Sequence, residues 1–429
     1  MGRTIIYFNL RLKYQPISFI LNIFHFSLKN SKIRLFMRNL AAIHQLSHFD
    51  YQLPKELIAQ TALAKRSDAR LMVLNRSGQN IEHRHFHEIG NYFEKGDLLI
   101  LNDTKVLPAR LFAKRKTGAR VEILVLKSGD EFISSPLMGE DKGGGENIIL
   151  SPHPCLAGRQ ANLPPQGGKG KIFQVLIKPS GRVKESEELV LIEAEDIAIH
   201  VMDSADRETG IRHIHFLGNK KTEDILEKYG RVPLPPYIDR EDSEIDRELY
   251  QTVFAKRAGA VASPTAGLHF DEPLLKKIEA KGVEILFVTL HVSYGTFQPV
   301  SLEDLTQHKM YHEYFEISDE TAERINFAKS DGRRVIACGT TAVRALESSA
   351  TSSVPAEVKP NEGMTNLFIY PPYEFKIVDG MITNFHLPKT TLLMLVSAFS
   401  GHEFLMRAYQ EAIREKYRFY SYGDAMLIV

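Results

Sequence analysis

Between Ser263 and Phe270 the chain reads SPTAGLHF, a Gly/Thr/His loop set between an apolar run, Ala258 to Ala262, and a stretch with clear helix-start signals. Asp271 can cap that helix through its carboxylate, Pro273 suits the first turn, Leu274, Leu275 and Ile278 supply an apolar stripe, and Gly282 can end it. Strand, polar loop and helix follow one another, and this spacing predicts an α/β unit. Taken alone, the loop also has a plain structural explanation, with Gly267 serving a tight turn and His269 a hydrogen-bonded core residue.

The same grammar recurs downstream. Val283 to Val292 (VEILFVTLHV) reads as a buried strand and runs into Ser293-Tyr294-Gly295-Thr296-Phe297. Arg334 to Cys338 is another short apolar run, followed by Gly339-Thr340-Thr341 and a helical stretch carrying Ala342, Val343, Ala345 and Leu346; Thr340 or Thr341 is the expected cap. Met381 to Phe385 leads into His386-Leu387-Pro388-Lys389-Thr390-Thr391, with an apolar helix from Leu392 to Phe399 beyond Pro388. If the four strands lie parallel in one sheet, right-handed crossovers place all four loops outside the carboxyl ends, where open α/β sheets bind ligands. Such an edge gathers His269, His291, His386, Lys389, Arg344, threonine hydroxyls and helix N-terminal amides. That set suits a polar, partly anionic small molecule.

The chain has 429 residues, 43% of them hydrophobic and 25% charged, as in a globular protein with room for two domains. A net charge of only +1 means that a nucleic-acid partner has to be held by a local patch. The clearest is Lys105, Arg110, Lys114, Arg115, Lys116 and Arg120, a kind of run that a solvated strand face explains more often than nucleic-acid binding does. Cys155 and Cys338 form no C-x-x-C pair, which argues against a zinc site and a disulfide framework and for a reducing cytoplasm. His83, His85 and His87 share one strand face, but no Cys, Asp or Glu accompanies them in a known metal spacing, so no metal is expected. Neither G-x-G-x-x-G nor G-x-x-x-x-G-K-[ST] occurs.

Two segments read as outside the working fold. Residues 1–48 hold no acidic residue, and Ile17 to Leu28 is too short and too interrupted to span a bilayer; we read this stretch as a non-native or disordered leader, with Met37 as the expected start. Residues 133–171, with Gly143-Gly144-Gly145, Pro164-Pro165 and Gly167-Gly168, read as a disordered insertion whose deletion leaves activity intact. Short strand-like runs crowd the span from Leu107 to Leu217, and helical patterns return from Thr222. The expected architecture is α/β: a large discontinuous α/β domain, residues 49–106 and 220–429 with the second part catalytic, and an inserted small domain at 107–219 that the strand pattern makes a β-barrel or a sandwich.

Longer blocks narrow the function. Asp50-Tyr51-Gln52-Leu53-Pro54, Asn102-Asp103-Thr104-Lys105 with Pro108-Ala109-Arg110, PLPPYI (233–238), YQTVFAK (250–256), SPTAGLHF, LHVSYGTF, GTTAVRALES and TNFHLPKTTLLMLVSAF occur in this order. From Phe49 to Val429, the insertion apart, the chain resembles the S-adenosylmethionine:tRNA ribosyltransferase-isomerase family of queuosine biosynthesis. The resemblance implies an α/β domain with an inserted β-barrel, S-adenosylmethionine as a consumed ribose donor, and no metal or cofactor. It implies as acceptor the tRNA anticodon loop carrying 7-aminomethyl-7-deazaguanine at the wobble position, with epoxyqueuosine-tRNA, adenine and methionine as products. Cys338, Ser293 and Tyr311-His312-Glu313 depart slightly from the family pattern without removing a Thr, His or Arg that the chemistry needs.

A sulfonium acidifies the adjacent ribose 5′ carbon, so the implied route needs a base, an acid and a wall that tolerates a cation. His269, His291 or His386 is the expected base, and Asp103 a second acid–base candidate whose alternative is turn capping. Arg344, with the amides at Thr340 and Thr341, is expected on the methionine carboxylate. Thr265, Gly267, Tyr294, Gly295, Thr296, Phe297, Asn384 and Phe385 are the further substrate contacts, the aromatic ones facing the sulfonium or adenine. Lys389 joins Lys105, Arg110, Lys114, Arg115, Lys116 and Arg120 on the tRNA phosphates, with the wobble base swung out of its stack. A cytoplasmic monomer with no membrane partner completes the expectation. A methyltransferase using the same donor, which would release S-adenosylhomocysteine, and a noncatalytic tRNA-binding protein are the rival readings.

Overall fold

The computed structural model describes residues 44–128, 171–207, 209–293 and 300–429. Its strands are β1 (Arg70–Asn75), β2 (Asn80–His85), β3 (Leu98–Asn102), β4 (Thr104–Val106), β5 (Arg110–Arg115), β6 (Arg120–Ser128), β7 (Ile172–Lys178), β8 (Glu188–Leu191) and β9 (Ala194–Val201). The remainder are β10 (Arg212–Phe216), β11 (Arg257–Ala260), β12 (Glu284–Leu290), β13 (Glu313–Ile317), β14 (Val335–Cys338), β15 (Asn361–Thr365), β16 (Gly380–Asn384) and β17 (Ala425–Ile428). The fold is α/β, with a nine-stranded sheet and a closed six-stranded barrel. Two compact units divide it. The first takes the described residues up to Leu101, Asp271–Val288, and those of Gly295–Val429; the second takes those of Asn102–Phe270 and Thr289–Tyr294.

The sheet of the first unit has the order β15-β13-β12-β3-β14-β16-β17-β1-β2. β3, β14 and β16 are buried at every position, as the continuous apolar runs of a sheet covered on both faces demand. β14 runs parallel to β3 and to β16, so the loops that follow β14 and β16 leave the sheet side by side. The sheet is mixed elsewhere: β17 is antiparallel to β16, β2 to β1, and β15 to β13. Among the described residues no helix is long and apolar enough to cross a membrane.

Helix termini follow local chemistry. The helix Glu272–Ala280 starts at Asp271, whose carboxylate accepts the Leu274 amide at 2.9 Å and the Ser67 hydroxyl at 2.6 Å; Gly282, at φ 89°, follows its end. The helix Thr391–Ser400 starts at Thr390, whose hydroxyl accepts the Leu393 amide at 3.3 Å. The helix Thr340–Ser348 differs from expectation. Its N-cap is Gly339, at φ 88°, and neither Thr340 nor Thr341 caps it. Only glycine adopts this backbone without strain, and the Gly339 amide donates to the Ile382 carbonyl at 2.8 Å.

His44 to His48, grouped with the leader in the sequence reading, belong to the fold. The Leu46 amide donates to Glu303, the Leu305 amide to His44, and Leu46 and Phe49 are buried. Two apolar anchors and two backbone bonds outweigh the basic composition that suggested a leader. Met37 lies outside the described residues, as does the insertion except for Lys171.

In the second unit the barrel closes in the order β10-β7-β6-β5-β8-β9. Alternation along β5 and β7 turns Leu111, Ala113, Phe173, Val175 and Ile177 inward, where they pack with Ile123, Leu189, Leu191, Ile199 and Ile214. All barrel strands fall between residues 110 and 216, while the compact unit around them is wider, beginning at Asn102 and continuing to Phe270.

One expectation is overturned here. β11, the strand before SPTAGLHF, is not a member of the nine-stranded sheet; it pairs in parallel with β4 in a separate two-stranded sheet. Four loops on one sheet edge is therefore not the arrangement. β11 is short and its register slips between Ala258 and Ala260, so Arg257, Ala258 and Ala260 partner Thr104, Lys105 and Val106.

Candidate active site

In the second unit the chemistry gathers around Asn102-Asp103-Thr104. The Asn102 side chain donates to the Leu290 carbonyl at 3.0 Å and accepts the Leu290 amide at 3.1 Å, a two-point clamp that mimics a strand partner. The same oxygen accepts the Thr104 amide at 3.1 Å. Residues 102–104 and 289–291 are thereby locked side by side. Asp103 is buried; one carboxylate oxygen accepts the Thr289 hydroxyl at 2.6 Å and the other lies 4.0 Å from the Arg257 guanidinium. Its carbonyl accepts the Lys256 and Arg257 amides, which ties it to β11. Thr104 places its hydroxyl 2.7 Å from Nδ1 of His291.

SPTAGLHF folds as a single 3-10 turn, Thr265–His269, in which Ala266, Gly267, Leu268 and His269 are all buried. Gly267 donates to the Pro264 carbonyl at 2.8 Å, and a Cβ there would stand 2.8 Å from the Phe254 ring and 2.9 Å from the Thr252 methyl. The loop is thus seated against the YQTVFAK block, and Gly267 serves close packing as well as turning. His269 and half-buried Thr265 lie on this turn, and the Ser263 hydroxyl is buried without a hydrogen-bond partner among the described residues. Tyr294, Gly295, Thr296 and Phe297 lie outside the described residues.

In the first unit the loops after β14 and β16 leave adjacent strands. Thr340 is buried and Thr341 half-buried in the first helical turn. Arg344, one turn on, is not a surface charge: it is 4% exposed, ion-paired through Nη1 to Glu313, itself 2% exposed, and donates through Nε to the Leu367 carbonyl at 3.1 Å. Its Nη2 has no hydrogen-bond partner among the described residues. Glu313, on β13, was quoted in the sequence only as a variation on a motif.

Asn384, Phe385 and His386 are buried. Phe385 packs its ring among those of Tyr409, Tyr417 and Phe419, with centroids 5.0–5.6 Å apart, so it is part of an aromatic core. His386 is held at three points. Its amide donates to the Tyr409 hydroxyl at 2.9 Å, its carbonyl accepts the Tyr51 hydroxyl, and Nε2 lies 2.8 Å from the Thr383 hydroxyl. Complete burial pushes its pKa down to about 3, so the ring is neutral at working pH and a poor proton acceptor. Lys389, in the left-handed region at φ 58°, reaches Asp50 at 2.7 Å.

Most of the expected phosphate-binding patch is matched by acids within the second unit. Arg110 lies 3.2 Å from Glu122, Arg115 2.6 Å from Glu187, Lys116 3.6 Å from Glu188, and Lys114 pairs with Glu195. Arg120 stacks over the Phe112 ring at 4.0 Å. Lys105 is exposed on β4. Cross-strand acids on a barrel account for the basic run, a pairing that the sequence, with its partners dozens of residues away, gave no sign of. Among the described residues no cluster of three His, Cys, Asp or Glu is arranged for a metal, and His83 is engaged by Tyr417 at 2.8 Å and Glu411 at 3.0 Å.

Thr104, Thr289 and Gly259 in the second unit, and Tyr51, Thr383, Glu313 and Tyr409 in the first, touch candidate residues and were not singled out in the sequence. Tyr51, Thr104, Thr383 and Glu313 stood inside stretches already named. Thr289 is one more β-branched residue in an apolar strand, and carries no local signal.

Comparison with known proteins completes the picture. The family described as "Queuosine biosynthesis protein" matches residues 46–428. A protein of Sulfurihydrogenibium sp. (strain YO3AOP1), named S-adenosylmethionine:tRNA ribosyltransferase-isomerase, is 48% identical over 386 residues, 90% of this chain and 100% of that one. A protein of the same name from Aquifex aeolicus is 45% identical over 385 residues, with 90% and 100% covered. The crystal structure of an S-adenosylmethionine tRNA ribosyltransferase from Thermotoga maritima is 34% identical, covers 89% of this chain and 100% of its own, and superposes with a TM-score of 0.45. The family match over residues 46–428 and near-half identity along the whole of the two sequence relatives agree, and the chain belongs to the queuosine biosynthesis protein family.

Proposed function

We propose that this chain transfers and isomerises the ribosyl part of S-adenosylmethionine onto 7-aminomethyl-7-deazaguanine at the tRNA wobble position. The products are epoxyqueuosine in tRNA, adenine and methionine. The observation that carries the reading is near-half identity over 100% of relatives that bear the name of this enzyme. S-adenosylmethionine is consumed as a substrate, and no resident metal or cofactor is invoked. The enzyme works as a monomer in the cytoplasm.

Chemically, the sulfonium acidifies the 5′ C–H, a base removes that proton, adenine departs, the deazaguanine amine attacks, and epoxide closure expels methionine. We assign proton transfer to His291, His269 and Asp103. His291 has its Nδ1 anchored by Thr104, and Asp103 carries a carboxylate fixed between a hydroxyl and a guanidinium. Burial and the Thr383 contact give His386 a positioning role instead. Thr265 and Gly267, with Tyr294, Gly295, Thr296 and Phe297, remain donor contacts. Arg344, with Thr340 and Thr341, is assigned to the methionine carboxylate through the Nη2 edge that Glu313 and Leu367 leave over. For tRNA phosphates the reading keeps Lys105 and Arg120, and assigns Arg110, Lys114, Arg115, Lys116 and Lys389 first to their carboxylates.

Incubation with S-adenosylmethionine and tRNA carrying the deazaguanine precursor tests the function. Free adenine and an epoxyqueuosine nucleoside are expected. S-adenosylhomocysteine in place of adenine would make the chain a methyltransferase, and tRNA binding without any donor turnover would make it a binding protein.

A further inference from the structure

His291 sits in a seat built from two residues that share no motif. Its Nδ1 is 2.7 Å from the Thr104 hydroxyl. On its other side lies Gly259, in the register slip of β11. A Cβ on Gly259 would stand 2.5 Å from Nε2, 2.6 Å from Cδ2 and 2.8 Å from Cε1. These near-equal distances locate the absent methyl over the face of the ring. An atom beyond the Nε2 tip in the ring plane would be clearly farther from Cδ2 and Cε1 than from Nε2. The imidazole therefore lies flat on the Gly259 backbone, with its face covered and Nδ1 on a hydroxyl, and Nε2 is the nitrogen turned away from the Thr104 anchor.

We propose that Gly259 and Thr104 are positioning residues that hold the His291 imidazole in one orientation and present Nε2 for proton transfer in the ribosyl-transfer reaction. The inference rests on the reading of His291 as a proton-transfer residue. Each half of the seat answers a separate need. The bulge lets a glycine face the ring where a regular strand would place a side chain, and the hydroxyl stops rotation about the Cβ–Cγ bond. Asn102 holds the Thr104 half in step with the His291 strand by clamping Leu290 and the Thr104 amide with one side chain. Geometry of this kind matters because a displacement on the order of 1 Å at a reacting group can cost on the order of 100-fold in rate.

The test uses the full-length chain, adenine release as the assay, and the variants His291→Asn, Gly259→Ala, Thr104→Val and Thr104→Ser. Far-UV circular dichroism checks folding. We expect His291→Asn to abolish turnover. Gly259→Ala should lower kcat by on the order of 100-fold, since the ring has to leave its place, with KM for S-adenosylmethionine little changed. Thr104→Val should lower kcat and shift the acidic limb of the pH–rate profile, and Thr104→Ser should restore both. If Gly259→Ala fails to fold, the Thr104 pair decides. Wild-type turnover in His291→Asn would remove the proton-transfer reading and the seat with it. An inactive His291→Asn beside Thr104→Val with wild-type kcat and an unmoved pH profile would refute the seat alone, as would losses confined to KM.

Discussion

Replacing Glu313 by Ala puts the buried Arg344 pair to a quantitative test. Both side chains are almost wholly removed from water, and Arg344 already has one nitrogen without a hydrogen-bond partner among the described residues. Without Glu313 its guanidinium keeps the Leu367 carbonyl at 3.1 Å as the named acceptor, while its full charge stays buried. Breaking one side of a buried pair costs about 3–5 kcal/mol, against about 0–1 kcal/mol for an exposed pair. The double variant Glu313→Leu/Arg344→Met removes both charges at similar volume and should restore most of the loss, because swapping a buried pair for apolar groups is often neutral or better. The two single changes must then be strongly non-additive. Urea unfolding followed by far-UV circular dichroism is the assay, since the chain has no tryptophan to report by fluorescence. With two compact units, the transition that moves between variants is the one to compare. A loss under about 1 kcal/mol in Glu313→Ala would refute the burial argument. The double variant has a second use: if it folds, a raised KM for S-adenosylmethionine supports Arg344 on the methionine carboxylate, and an unchanged KM assigns Arg344 to structure alone.

Three further outcomes are expected. His386 has a folded-state pKa of about 3 against an ordinary value of 6.5, so below pH 6.5 the unfolded chain binds a proton that the folded chain refuses, and stability falls with pH through that window. His386→Asn should flatten the dependence by about 2 kcal/mol between pH 6.5 and pH 5, read from urea midpoints, and an unaltered slope would show that the ring protonates in place. Glu347 accepts the amides of Lys376, Ile377 and Val378 and the Tyr373 hydroxyl at 3.0–3.3 Å; Glu347→Ala should destabilise by about 3 kcal/mol or more, and a midpoint like wild type would mean that those donors find other acceptors. For tRNA, Lys105→Ala and Arg120→Ala should each reduce the slope of log affinity against log salt by about 1, whereas Arg115→Ala should leave it near wild type, and the reverse ranking would restore the paired cations of the barrel as the docking surface.

Legibility in the sequence tracked the range of each interaction. The Asp271 cap and the glycine after the Glu272–Ala280 helix depend on neighbours within a turn, and their residues announced them. Short alternating strands over 107–219 announced a barrel or a sandwich, and only their pairing closes them into a barrel. The Gly339 cap was misread because threonine is the commoner cap, and only the close approach to Ile382 explains why glycine stands there. β11 looked like a sheet strand because apolarity cannot say which partner a strand takes; the bulge at Gly259 and the tie to Asp103 decided for β4.

For the candidate site the division is the same. Residue types and ordered blocks were enough to identify the family and to single out His269, His291, His386, Arg344 and Asp103, because chemistry restricts which side chains can move protons or hold carboxylates. What each does depends on burial and on partners far along the chain. Thr104 is 187 positions from His291, and Glu313 is 31 from Arg344. Tyr51 meets His386 across 335 positions. No local pattern encodes such pairs, since hydrogen bonds, dielectric and close packing act through space. The sequence by itself determined which chemical groups are available; only the tertiary structure decided that His291 rests between the Thr104 hydroxyl and Gly259, His386 is sealed in its neutral form, and Arg344 is bound to a buried carboxylate.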